Sequence, residues 1–499
     1  MANVTISNSS ITGTSGNDTI IAGKSGVLNT TPYIVYGNGG NDLIDFRTST
    51  VDDTLVSGTG DSTIKGGAAD YHFTAGSGNN VIKSGNGNNN VYISSSTGSN
   101  TVSYNDTITL GNGNNNVTVS ILSKDTITIG SGSDKIVAEN GANVSITAVS
   151  STKDILSVSD TSSFLTANIT APWTANSISS NYGSATLNTN GFAVDVSKAT
   201  GDHGWKITNT AAQGTTLTGG AHNDSLIGGT GNDVLIDNGG TDTFTGGGGK
   251  DKFIVNLGSA NITDLGANSN VVVGTSASVT ATVTKNWVAG ASTSNDGNAT
   301  ISTNGHNVNV GAAKGANGWH IIDTGSTAVK LVGSTHSDTL TAGSGNDTLV
   351  GGGGDVLNGG AGNDKFTFGN AYGGASVNVI NNFHIGATAD SIVYSAANLK
   401  VGASDSAVTI NSAGVAKFIS APTNLTAALA DLATAFNSTH NNTAGKFAFF
   451  QINNTGPEYL YISGAHESTP GNHDTVIELT GINSINSINI AGGHLHIIS

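Results

Sequence analysis

The sequence predicts an all-β protein: a parallel β-solenoid or β-roll with duplicated β modules, closed by a small α+β domain at its C-terminal end. Three observations predict it. Aspartates recur every nine residues in glycine-rich turns, each followed two residues later by an apolar side chain. A block of the chain recurs in tandem at a spacing of 114 residues. Short β-branched runs alternate with Gly/Asn turns in the N-terminal region, and strands at a fixed pitch build solenoids.

Composition narrows the choice further. The 499 residues include 70 Gly and no Cys, so disulfides and Cys-ligated zinc or iron–sulfur sites are excluded. Lys and Arg number 18 against 34 Asp and Glu, for a net charge of −16, so no nucleic-acid partner is expected. Charged residues make up 10%, and polarity comes from Ser, Thr, Asn and Gly instead. The abundance of Val, Ile and Thr argues against disorder. No segment approaches the length of an apolar membrane span. The opening MANVTISNSS has neither a basic nor an apolar leader region, so no Sec-type signal peptide is expected.

Residues 1–165 read as a Gly/Asn-rich solenoid. NDTITLGNGNNNVTV from Asn105 recurs 19 residues later as KDTITIGSGSDKIVA. Gly and Asn suit the turns because both tolerate positive φ. Residues 166–270 and 271–395 are two copies of one module. Trp173 matches Trp287, Trp205 matches Trp319, and Asp224 and Asp233 match Asp338 and Asp347 without a gap. The tryptophans are expected to anchor the core of each copy rather than to stack on sugars. Each copy runs into a nonapeptide array. The first reads GGAHNDSLI, GGTGNDVLI, DNGGTDTFT, GGGGKDKFI, with Asp224, Asp233, Asp242 and Asp251 in phase. The second carries Asp338, Asp347, Asp355 and Asp364, with one step of eight near Gly354.

GGTGNDVLI and GGGGKDKFI resemble the G-G-x-G-x-D-x-U-x pattern of RTX (haemolysin-type) calcium-binding repeats. The resemblance is close over residues 219–254 and 333–367 and partial over the first 160. It implies a β-roll in which two nonapeptides make one coil, with Ca2+ held between stacked turns. The chemistry of the residues agrees. Calcium takes six to eight oxygen ligands at ~2.3–2.6 Å. Glycine turns bring carbonyls together, and each Asp adds a carboxylate. One apolar side chain per half-coil makes a thin core, worth ~1.5–3 kcal/mol per large side chain, so folding is expected to be coupled to the metal. The expected ligands are the eight array aspartates together with Asp18, Asp42 and Asp134 of the N-terminal region, where the acid is kept. The turns at Gly76, Gly85 and Gly111 hold Asn80, Asn89 and Asn115 instead, and are expected to close through Asn hydrogen bonds, with weak or no calcium binding.

After each array comes the usual roll ending: residues 379–383 and 390–392 in the second copy, with 262–264 its remnant in the first. Residues 396–499 form the last domain. An amphipathic helix is expected over 424–436, where Leu425, Ala428, Leu429, Leu432 and Phe436 share a face. Strands follow at 447–452, 459–462 and 475–479. This tail resembles the terminal domain of type I-secreted surface proteins, which implies export by type I secretion machinery through an uncleaved C-terminal signal.

No G-x-S-x-G and no H-E-x-x-H is present, so no catalytic site is expected. His466-Glu467 with His473-Asp474, and His494 with His496, read as exposed loop histidines rather than a zinc site. The expected function is that of an extracellular or cell-surface structural protein, a self-assembling surface-layer (S-layer) or matrix subunit. Its partners would be copies of itself and cell-surface polysaccharide. The alternatives are an adhesin or a carbohydrate- or ice-binding protein using a Thr/Asn-rich solenoid face, and, further off, a hydrolase or epimerase with its site in residues 1–165.

Overall fold

The structure, a computed structural model, describes residues 5–7, 9–24, 27, 30–94, 104–120, 122–368, 376–386, 389–395, 397–437, 444–452, 456–464 and 474–499. They form two compact units, Met1–Gly249 and Lys250–Ser499. Nearly every element is a β-strand, most of them three to five residues long, and one α-helix lies near the C-terminal end.

In the first unit the chain coils, and strands of successive coils pair in parallel. One face stacks Ile11, Val35, Leu55, Phe73, Val91, Val117, Ile136 and Leu156 in register. The facing sheet stacks Ile20, Ile44, Ile64, Ile82, Ile108, Ile127 and Ile146. All of these side chains are buried. Alternation along a strand puts one residue inside and its neighbours outside, so a three-residue strand supplies a single core side chain. That is the thin core the nonapeptide pattern implies. An antiparallel hairpin, Thr5–Ser7 with Ser10–Thr12, starts the unit.

The Trp segments add parallel strands to this scheme. Trp173–Thr174 pairs with Val194–Asp195, which pairs with Thr216–Thr218 and then Val234–Asp237. Trp173 and Trp205 are buried with ring centroids 6.3 Å apart, and the Trp173 indole N–H donates to the Asp154 carbonyl at 3.0 Å. A buried indole N–H usually finds such an acceptor.

The second unit opens on two 14-residue parallel strands, Lys252–Leu265 and Asn270–Val283. Residues 262–264, expected as a shortened roll ending, lie within the first of them. The second copy then repeats the first: Trp287 and Trp319 are buried 6.1 Å apart, and the Trp287 indole donates to the Ser269 carbonyl at 2.9 Å. Ile301, Ile321, Leu340, Leu357 and Ile380 stack on one face, and Val308, Leu331, Leu349, Phe366 and Ile392 on another. The roll ending forms strands Val377–Asn381 and Ser391–Tyr394.

The helix spans Leu425–Asn437. Asn424 caps it, its side-chain oxygen accepting from the Ala427 N–H at 2.9 Å. Its apolar face, Ala428, Leu429, Leu432 and Phe436, packs with Phe450, Tyr461 and Val476 from strands Lys446–Phe450, Glu458–Ile462 and Thr475–Leu479. These three strands are antiparallel, and Thr475–Leu479 joins Val377–Asn381 in parallel. The α+β ending is therefore continuous with the last coils. No helix among the described residues is long and apolar enough to cross a membrane.

Candidate calcium-binding turns

Each turn Asp sits just before its strand, where the chain enters the coil, except Asp242, the second residue of strand Thr241–Thr245. All eleven aspartates expected as ligands are buried. The stacking of coils places each over its counterpart one coil on, and a backbone amide bridges the pair. The Asp224 N–H donates to Asp242 Oδ1 at 2.8 Å. Asp338 donates to Asp355, and Asp347 to Asp364, each at 2.8 Å. Asp18 donates to Asp42 at 2.9 Å. Thr215 donates to Asp233 at 2.8 Å, and Asp251 donates to the Ser269 hydroxyl at 3.1 Å.

One carboxylate oxygen is used in this way. The other turns toward the loop. In several turns it accepts the loop's own amide: Gly220 to Asp224 at 2.7 Å and Gly352 to Asp355 at 2.8 Å. In Asp42, Asp106, Asp134, Asp347 and Asp364, Oδ2 is buried with no hydrogen-bond partner. A Cβ on Gly219 would stand 2.7 Å from Asp224 Oδ2 and 3.3 Å from Asp242 Oδ2. A Cβ on Gly333 would stand 2.8 and 3.0 Å from the Oδ2 atoms of Asp338 and Asp355. Glycine thus leaves open a space on which two carboxylates from successive coils converge.

These carboxylates are held in an environment hostile to their charge. Burial pushes Asp224 up to about 6, and burial together with the Asp338 charge pushes Asp355 up to about 8. Asp364 is pushed up to about 7 by burial and by Asp390 and Asp347. Asp242, facing Asp224 and Asp237, is raised for the same reasons. Unpartnered buried oxygens and like charges at close range are costly, and an oxygen-seeking dication offsets both costs. Among the described residues no three His, Asp or Glu side chains converge as a metal cluster. A hard cation here would therefore draw on turn carbonyls as well as carboxylates, as calcium does. The donor set fits Ca2+, which would neutralise the paired carboxylates and tie one coil to the next.

The turns at Gly76, Gly85 and Gly111 are built differently. The Asn80 amide donates to the Gly76 and Gly78 carbonyls at 3.2 and 3.1 Å. Asn115 donates to the Gly111 and Gly113 carbonyls at 3.3 and 2.9 Å, and to Asp134 Oδ1 at 2.7 Å. Asn89 donates to the Gly87 carbonyl at 2.7 Å and to Asn115 Oδ1 at 2.9 Å. The amide group supplies the positive end that a cation would supply elsewhere. On the surface of the same coils, Asn86 accepts from the Asn112 N–H at 3.1 Å, and Asn88 from the Asn114 N–H at 2.8 Å. The closure by Asn hydrogen bonds expected from the sequence is present, and these surface Asn extend it into a ladder.

Sequence reasoning missed several members of the stacked rows. Asp53, Asp106, Asp125, Asp154, Asp323 and Asp390 are buried acids outside the nonapeptide phase. Asp106 accepts from the Asn80 N–H at 2.5 Å, Asp154 from the Asp134 N–H at 3.0 Å and Asp390 from the Asp364 N–H at 2.7 Å. Their one sequence signal is an acid directly before a β-branched run, as in Asp106-Thr-Ile and Asp154-Ile-Leu. Of the histidine groups, His466, Glu467 and His473 lie outside the described residues. The His494 and His496 rings stack 6.3 Å apart, and Asp474 accepts from the Tyr461 hydroxyl at 2.9 Å.

Coiled parallel strands with acid-bearing glycine turns define a calcium β-roll. The model of the RTX calcium-binding nonapeptide repeat matches residues 5–25, 48–70, 72–92, 218–253, 332–366 and 353–370. These segments are RTX-type repeats, and such repeats are calcium-binding motifs. No curated protein matches the chain.

Proposed function

We propose that this protein is a secreted structural subunit, stabilised by calcium, that assembles into a surface layer or extracellular matrix. The observation that carries the reading is the stack of buried turn carboxylates, Asp224 over Asp242 and Asp338 over Asp355, gathered around glycine-made space. A fold held by such sites is suited to a calcium-rich exterior and stays open where calcium is scarce. In this reading residues 1–165 are a solenoid shaft, 166–270 and 271–395 calcium-stabilised modules, and 396–499 the export domain recognised by type I secretion machinery. Low charge density weakens repulsion between copies, and calcium screens or bridges the net −16. Electron microscopy of the purified protein tests this: sheets or filaments are expected on adding millimolar calcium, and not with sodium at equal ionic strength. A monomer at high concentration in calcium overturns self-assembly.

One observation favours a second reading, an adhesin or a binder of polysaccharide or ice. In the first unit one sheet presents an outward row of hydroxyls, bounded by Lys83 and Lys206. Thr107, Thr126, Ser145, Thr166 and Thr186 stand in register, beside Thr109 and Thr128. Such a row suits a periodic uncharged surface. Retention of the monomer on that surface, lost when Thr126 and Thr166 become Lys, would favour this reading.

A further inference from the structure

The two module copies differ at one buried position where their turns are otherwise matched. Asn209 of the first copy is Asp323 of the second, 114 residues on. Both side chains are buried, and both accept the amide of a matched glycine. Asn209 Oδ1 accepts from the Gly191 N–H at 2.8 Å, and Asp323 Oδ1 from the matching Gly305 N–H at 2.9 Å. The Ala211 N–H donates to Asn209 Oδ1 at 3.0 Å, whereas the matching Gly325 N–H donates to Asp323 Oδ2 at 3.0 Å, and the Thr303 hydroxyl also donates to Asp323 Oδ1.

The difference is in the second atom of each group. Asn209 Nδ2 donates to the Gln213 carbonyl at 3.0 Å and reaches Asp233 Oδ1 at 3.5 Å. A carboxylate at 323 has no hydrogen to give, yet the matching carbonyl at 327 and the matching Asp347 are still acceptors. A Cβ on Gly229 would stand 3.6 Å from Asn209 Nδ2 and 3.3 Å from the Ala211 carbonyl oxygen. A Cβ on the matching Gly343 would be crowded by the Gly325 carbonyl and stand 2.9 Å from Asp323 Oδ2. Asp323 is also close enough to Asp347 for their charges to repel, and Asp347 Oδ2 is fully buried without a hydrogen-bond partner. Toward the residue 327 carbonyl and Asp347, therefore, the second copy turns an acceptor where the first turns an amide donor.

We propose that the second module holds a calcium ion that the first lacks, at the entrance to its array, ligated by Asp323, Asp347 and the Gly325 carbonyl. The inference rests on the reading that the arrays bind calcium, and adds to it a site outside the nonapeptide pattern. Residue 209/323 is then a choice between a built-in donor and a metal.

Exchange of the two residues tests it. Bound ions are counted by native mass spectrometry and by calcium titration calorimetry on the full chain, for wild type, Asp323→Asn and Asn209→Asp. Asp323→Asn reproduces the residue the first copy carries, so folding is retained, which circular dichroism in saturating calcium checks. The expected result is one ion fewer in Asp323→Asn and one more in Asn209→Asp. An unchanged count in Asp323→Asn, even with altered stability, overturns the extra site and leaves calcium binding by the arrays standing. Absence of calcium binding in wild type overturns both.

Discussion

The Asn-closed coils around residues 76–115 and the Asp-bearing coils of the nonapeptide arrays solve one problem in two ways. Both stack a polar side chain beneath a glycine turn, and in both its oxygen accepts an amide from the preceding coil, as Asn115 does from Asn89 at 3.1 Å and Asp242 from Asp224 at 2.8 Å. They differ in the remaining atom. An amide nitrogen satisfies the turn carbonyls from within, so the coil is complete as synthesised. A carboxylate oxygen adds another acceptor, so the coil is expected to be complete only with a cation. One atom, N or O, decides whether a turn is permanent or conditional.

The largest effect that sharpens this contrast is calcium removal. Hydrogen exchange in chelator is expected to collapse protection over residues 219–254 and 333–367 while residues 76–94 and 105–120 keep theirs. Equal loss in both regions would break the comparison. Next in size is conversion of one type to the other. Asn115→Asp places a carboxylate against the Gly111 and Gly113 carbonyls and Asp134, so a cost of about 1–3 kcal/mol is expected in chelator, recovered when calcium is added. Urea denaturation with and without calcium measures it.

A third test uses pH. The array carboxylates have folded pKa values raised above the ordinary 3.8, to about 6 for Asp224, about 7 for Asp364 and about 8 for Asp355. A carboxyl raised on folding contributes stability that is complete below pH ~4 and is lost as pH rises through its folded value. Chelated protein should therefore melt at higher temperature at pH 5 than at pH 8. Saturating calcium should shrink the difference, because the ion favours the charged form. A chelated protein that gains stability between pH 5 and 8 contradicts the role given to these carboxylates. The smallest effect belongs to the surface ladder. Asn114 Oδ1 accepts from the Ser133 N–H at 2.8 Å, and Asn114→Ala should cost about 0.5–1.5 kcal/mol, the same with calcium as without.

Much of this was legible because the repeat fixes phase. Once Asp224 and Asp233 are placed in turns, Leu226 and Leu235 must point inward, and both are fully buried. The tandem copy does the same for Trp173 and Trp287. The helix was legible from its apolar face, and its Asn424 cap stands at the first residue of the expected span. The identity of stacking partners was not. Ser62 and Asn378 occupy row positions where the pattern has acid, accepting from Asp42 and Asp355 at 3.1 Å each. A hydroxyl or amide serves an amide donor as well as a carboxylate does, so composition at that place is loose and carries no signature. The 14-residue strands were missed because the nonapeptide pattern ends at residue 254 and Gly258-Ser259 interrupts the apolar alternation, whereas pairing between Gly258 and Ala277 continues the sheet there.

The buried rows also have a direction. In each, the amide of one turn is met by the side chain of the coil that follows it in sequence. The two ends of the stack are therefore not equivalent. Shortening it from the N-terminal side removes donors and leaves a side-chain oxygen that water or a cation can serve, whereas shortening it from the C-terminal side leaves an inward amide with no acceptor. The second array meets this demand with residues beyond its last nonapeptide: Asn378 accepts from Asp355 at 3.1 Å, and Asp390 from Asp364 at 2.7 Å. A chain that becomes available from its C-terminal end would present every arriving coil with a finished template, and a chain released from the other end would wait for its last residues before any row could close.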